Sequence, residues 1–149
     1  MAATPGFVPF DSDAQVSALA AGFCDRSLPK EQWTHAGHFS TTLALLATRE
    51  DLDLSRDLPR MIRAYNASVG GVNDDHAGYH ETITQASIRA ARWFRAAHPH
   101  LPLFACCNAL METSLGRSDW LLAHWSRERL FSVEARRGWV EPDLDPLPF

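Results

Sequence analysis

Two histidines stand three apart in the segment Trp33-Thr34-His35-Ala36-Gly37-His38, a spacing that puts both imidazoles on one face of a helix. A second cluster, Gly78-Tyr79-His80-Glu81-Thr82, places a histidine and a carboxylate in the first turn of a long helix. The helix dipole there favours an anion and lowers histidine basicity. If the two helix starts lie together, His35, His38 and His80 converge. Three neutral imidazoles suit Zn(II), Fe(II) or a similar divalent transition metal and leave a position for water or substrate. Glu81 would ligate or orient. Without a metal, His80 with Glu81 or Tyr79, or His35 with Tyr65, is placed to move protons in an isomerisation, elimination or hydrolysis. In this reading His80, Glu81 and His35 are the catalytic candidates, while Tyr65, Asn66 and Tyr79 hold the substrate.

Several familiar sites are disfavoured by the same residues. His80-Glu81-Thr82-Ile83-Thr84 lacks the second histidine of a zincin helix, and the paired Glu-x-x-His motifs of di-iron bundles are missing. No Gly-x-Ser-x-Gly turn presents a serine, and no glycine-rich loop after a strand presents a phosphate site, so no nucleotide cofactor is expected. Cys24, Cys106 and Cys107 are too few and too badly spaced for a disulfide framework or a thiolate zinc site and read as reduced thiols, mostly buried. Competing with an enzyme is a plainer function: a non-catalytic ligand-binding or oligomerisation domain in which the His, Tyr and Glu side chains form a buried structural network. A histidine at a helix start commonly caps the helix or packs while bonded to a carbonyl. Asn73, Asp74 and Asp75 read as turn residues, and His76, His98, His100 and His124 as surface or structural.

The segments Trp33–His38, Tyr65-Asn66-Ala67-Ser68-Val69-Gly70, Gly78–Thr84 and the ending from Leu130 to Pro148 resemble those of a family of small bacterial helical proteins for which no activity is established. The resemblance covers most of the chain. It implies a natural bacterial domain whose shared segments meet in space, and it assigns no catalytic role.

Positioning these residues requires helices. Asp11, Ser12 and Asp13 offer caps to a helix with Val16, Leu19, Ala20 and Phe23 on one side, ending near Arg26. Leu28-Pro29 opens a second helix that Thr34 restarts as an internal cap. A third, from about Ser55, tolerates Pro59 only in its first turn and stops at Gly70-Gly71. The fourth spans about Tyr79 to Ala97 with Ile83, Ala86, Ala90 and either Trp93 or Phe94 inward. Leu103 to Leu115 forms a fifth, closed by Gly116. Ser118-Asp119 caps a short sixth, and turns or short helices follow around Arg127–Phe131 and Val133–Arg137. Residues 139–149 carry three prolines and cannot be helical; their Trp, Val, Leu and Phe side chains dock an extended tail on the body. Residues 1–10 read as a loose arm. The expected fold is an all-α, single-domain bundle of five to seven helices over residues 1–149.

Composition agrees. With 46% hydrophobic and 21% charged residues, five Trp and eight Phe, the 149-residue chain can bury one core of ordinary size. A net charge of −4 gives no global attraction to nucleic acid or anionic lipid, and neither a signal peptide nor a membrane span is evident. The expected setting is therefore the cytoplasm, with a small molecule as partner and a homodimer allowed.

Overall fold

The computed structural model describes residues 6–149, which form an all-helical bundle with no strand among them. Seven α-helices run in order: α1 (Asp13–Asp25), α2 (His35–Thr48), α3 (Leu54–Ser68), α4 (Glu81–Ala97), α5 (Leu103–Met111), α6 (Arg127–Leu130) and α7 (Val133–Arg137). Short 3-10 turns cover Lys30–Gln32, Ser114–Gly116 and Trp120–Ala123. None of these helices is long and apolar enough to cross a membrane.

Local chemistry sets the boundaries. Ser12 caps α1 by accepting from the Gln15 N–H, and Arg26 ends it in the left-handed region at φ 65°. Thr34 caps α2 by accepting from the Gly37 N–H, so the segment after Leu28-Pro29 is one 3-10 turn and not an earlier helix. Pro59 lies well inside α3, beyond the first turn that the sequence allows it. A proline there cannot donate to the carbonyl four residues back, and the orphaned Ser55 carbonyl instead accepts from Gln85 Nε2 of α4 at 2.9 Å. A partner from another helix thus satisfies the group that would otherwise exclude the proline.

α2 packs against α1, α4 and α5, and α4 reaches on to α3 and α7. The larger core gathers Val16, Phe39, Leu43, Ala86, Phe94, Leu110, Trp120 and Trp125; a smaller one between α1, α3 and α4 gathers Phe23, Leu58, Ile62, Tyr65 and Ile88. On α4, Phe94 turns inward while Trp93 stays 46% exposed. The tail is docked: Trp125 Nε1 donates to the Val140 carbonyl, the Leu144 N–H to the His124 carbonyl, and Asp143 accepts from Ser126; the Leu144 side chain, expected to dock with the others, instead stays 60% exposed. The start of the chain is less loose than its sequence suggests. Phe7 and Phe10 pack on the core, and Phe10 exchanges both backbone hydrogen bonds with the Asn108 amide; residues 1–5 of the expected arm lie outside the described residues.

Candidate functional site

The start of α2, the end of α3, the loop before α4, the first turns of α4 and the segment from Ser118 to Phe131 enclose a cavity of about 850 Å³. Its size is that of a small-molecule site. Its walls draw on Trp33 to His38, Tyr65 to Gly70, Gly78 to Thr84, and Leu130 with Phe131. His35, His38, Tyr65, Asn66, Tyr79 and His80 all line it, and Glu81 does not.

The hydrogen bonds sort these residues. His80 caps α4, with Nδ1 accepting from the Ile83 N–H at 3.2 Å, while Nε2 lies 2.7 Å from the Leu130 carbonyl. A carbonyl only accepts, so the proton sits on Nε2 and both ring nitrogens are engaged. His80 therefore departs from the expected part of ligand or base: it fastens α4 to α6. Tyr65 donates to the Leu28 carbonyl at 2.8 Å and is fully buried. Tyr79 donates to Glu81, Arg63 lies over its ring, and burial followed by that hydrogen bond raises its pKa. Glu81 also accepts from Gln85. Asn66 donates to Asn73, whose side-chain oxygen also takes the Tyr79 N–H. These four anchor the walls through the polar atoms expected to hold substrate or, for Glu81, to do chemistry.

Two imidazoles are left. His35 Nε2 donates to the Leu115 carbonyl at 2.7 Å, which fixes its tautomer and leaves Nδ1 as an acceptor. His38 makes no ring hydrogen bond among the described residues; its ring packs on Trp33 with centroids 3.9 Å apart. Protein atoms crowd His38, and this desolvation, with neighbouring His35 second, pushes its pKa down to about 4. The ring nonetheless opens on the cavity and is exposed to solvent there. Crowding by the walls and access through the cavity coexist at this side chain. Solvent in the cavity tempers the depression, and its direction keeps the imidazole neutral near pH 7. Burial also lowers His35 and His80.

Among the described residues no group of three or more His, Cys, Asp or Glu side chains converges as metal ligands do. The expected trio of His35, His38 and His80 shares a cavity, but His80 has no unengaged nitrogen. Two imidazoles remain, fewer than the three protein ligands of catalytic zinc sites.

Sequence reasoning missed Thr42 and Thr84, which also line the cavity. Each stands four residues after a cavity histidine, and that helical spacing was the signal. Lys30, the chain's single lysine, in the turn before α2, was missed as well, and so were Trp120 and Arg127, whose place depends on how the later segment folds back.

Lowered histidine pKa values set a pH dependence. A histidine whose folded pKa lies below the ordinary 6.5 binds fewer protons folded than unfolded, so its stabilisation is complete above the unfolded value and is lost as pH falls through the folded one. Carboxylates with lowered pKa act only at more acidic pH. The urea midpoint is expected to fall between pH 7 and pH 5 with an unchanged slope, and a midpoint flat across that window would refute the buried, neutral histidines.

Compared with known family models, curated proteins and solved structures, the chain matches none of them.

Proposed function

We propose that the chain is a small-molecule enzyme of the acid–base type, in which His38 exchanges a proton with a ligand held in the cavity and His35 accepts a second hydrogen bond from it. The observation that carries this reading is the His38 ring, which makes no hydrogen bond among the described residues and opens to a space of about 850 Å³. Around it Phe39, Leu58, Ile62, Ile83 and Leu121 supply apolar surface, on walls that also carry polar and charged groups such as Thr42, Thr84, Lys30 and Arg127. The apolar surface excludes water from the body of a ligand, and the polar groups fix its orientation. With its pKa held below the ordinary range, His38 stands near pH 7 in the unprotonated form that accepts a proton in an isomerisation or elimination, as a weaker base than a free imidazole.

A second reading, non-catalytic binding, is favoured by a specific observation: Tyr65, Asn66, Tyr79, His80 and Glu81 are already hydrogen-bonded within the protein. The two readings part on proton transfer. Fragments that shift the His38 imidazole resonances would be incubated with the protein in D2O. Enzyme chemistry at His38 predicts deuterium incorporation that slows by roughly 10²–10⁴-fold in His38→Ala, with a stability change under about 1 kcal/mol because the ring is exposed. His80→Ala is expected to do the reverse, costing about 2–4 kcal/mol through the lost cap and the unbonded Leu130 carbonyl. Binding without exchange would leave the plain binding domain.

A further inference from the structure

Resting on the reading of the cavity as a small-molecule site, we infer that its ligand is an amphipathic organic acid, its anionic head drawn by the cationic lining to which Lys30 and Arg127 contribute and its apolar body inside. Three charged side chains besides the histidines line the cavity: Lys30, Asp119 and Arg127. Asp119 is held by Arg117 in a two-pronged pair at 3.0 and 3.2 Å, so its charge is answered chiefly from outside the cavity, with Arg127 adding only a weaker, longer-range attraction. Lys30 and Arg127 are exposed and belong to no ion pair among the described residues. Arg127 rests its guanidinium 5.8 Å from the Phe131 ring centroid. On a chain of net charge −4, the cavity carries an unanswered positive balance, the opposite of its average surface, and such local fields select ligands by sign.

The apolar surface points the same way. Phe131 and Val72 line the cavity yet are 52% and 58% exposed, which places them where it meets solvent. Exposed apolar side chains at the rim, Phe131 with the Arg127 guanidinium near its ring, make a mouth that a charged, hydrophobic ligand covers and a sugar or a nucleotide base does not. Among the described residues that line the cavity the single carboxylate, Asp119, is already paired, so none is left to hold a cation.

The test uses decanoate, decanol and decylammonium, each well below the concentration at which it aggregates, titrated into the full chain and followed by tryptophan fluorescence, since Trp33 and Trp120 line the cavity. The acid is expected to bind about tenfold or more tighter than the alcohol, the difference of one charge-assisted contact, and the amine most weakly. In Lys30→Ala/Arg127→Ala the preference for the acid disappears, and in Lys30→Arg/Arg127→Lys it returns. Equal binding of acid and alcohol, or decanoate affinity unmoved in the alanine variant, overturns the inference and leaves the small-molecule site standing. If no probe binds and a fragment screen leaves the His38 resonances unmoved, the cavity reading itself falls with it.

Discussion

Trp125→Ala is expected to lower the unfolding free energy by about 3–5 kcal/mol, the range for removing a large aromatic side chain from a packed core. Trp125 is 0% exposed, and its indole N–H donates to the Val140 carbonyl at 3.0 Å. Trp139 packs edge-on against it with centroids 5.7 Å apart. The loss propagates, because Val140 also donates to Thr82 at the start of α4. There the Thr82 hydroxyl lies 2.8 Å from the Ala135 carbonyl and 2.9 Å from that of Gly138, donating to one at a time. One ring thus ties the tail to the helix that borders the cavity. Trp125→Phe keeps most of the bulk and removes only the donor, so it should cost less than half as much. Urea denaturation of both variants checks this; a cost below about 1 kcal/mol for the alanine would show that the tail contributes little to stability.

Gly78→Ala has the next largest expected effect, about 2–4 kcal/mol. Gly78 sits at φ +82°, and a Cβ built there would lie 1.9 Å from the Val72 carbonyl oxygen and 2.7 Å from Asn73 Oδ1. Both are fixed: Asn73 holds the loop by accepting from the Tyr79 N–H and from Asn66, and by donating to the Arg63 carbonyl. Backbone must move to admit the methyl, and the loop that moves is a cavity wall, so ligand affinity should drop with stability. Gly70 is the internal control. It has a similar φ of +85°, but nothing lies within 4 Å of a Cβ, so Gly70→Ala should cost only the conformational preference, about 1 kcal/mol. Equal losses in the two variants, measured by denaturation, would remove the steric part of the argument.

The helices were legible because their ends are written in side-chain types. Ser12 and Thr34 are ordinary caps, and the stripes of α1 and α4 repeat at helical spacing. The fifth helix was read four residues too long because its end depends on a competition: the Thr113 hydroxyl donates to the Leu110 carbonyl and accepts from the Leu115 N–H, drawing the chain into a 3-10 turn. For the site, the sequence identified which segments gather but not which imidazole stays free. The partner that engages His80 is the Leu130 carbonyl, 50 residues away, and the partner of His35 is Leu115, 80 away. Neither is a residue type that a motif records, since both are backbone carbonyls. His38, the least distinctive of the three in sequence, is the one whose ring makes no hydrogen bond among the described residues.

The cavity wall between Ser118 and Phe131 is built from single turns, capped by residues close in the chain such as Ser126 on Arg129, yet Trp120, Leu121, Trp125 and Leu130 bury it in the same large core that α1, α2, α4 and α5 share. Turns anchored in this way open at a cost set by the core and not by their own length. Gating and folding are thereby one property of this segment: a variant that loosens the core, such as Trp125→Ala, is expected to speed the exchange of small molecules with the cavity as well as unfolding.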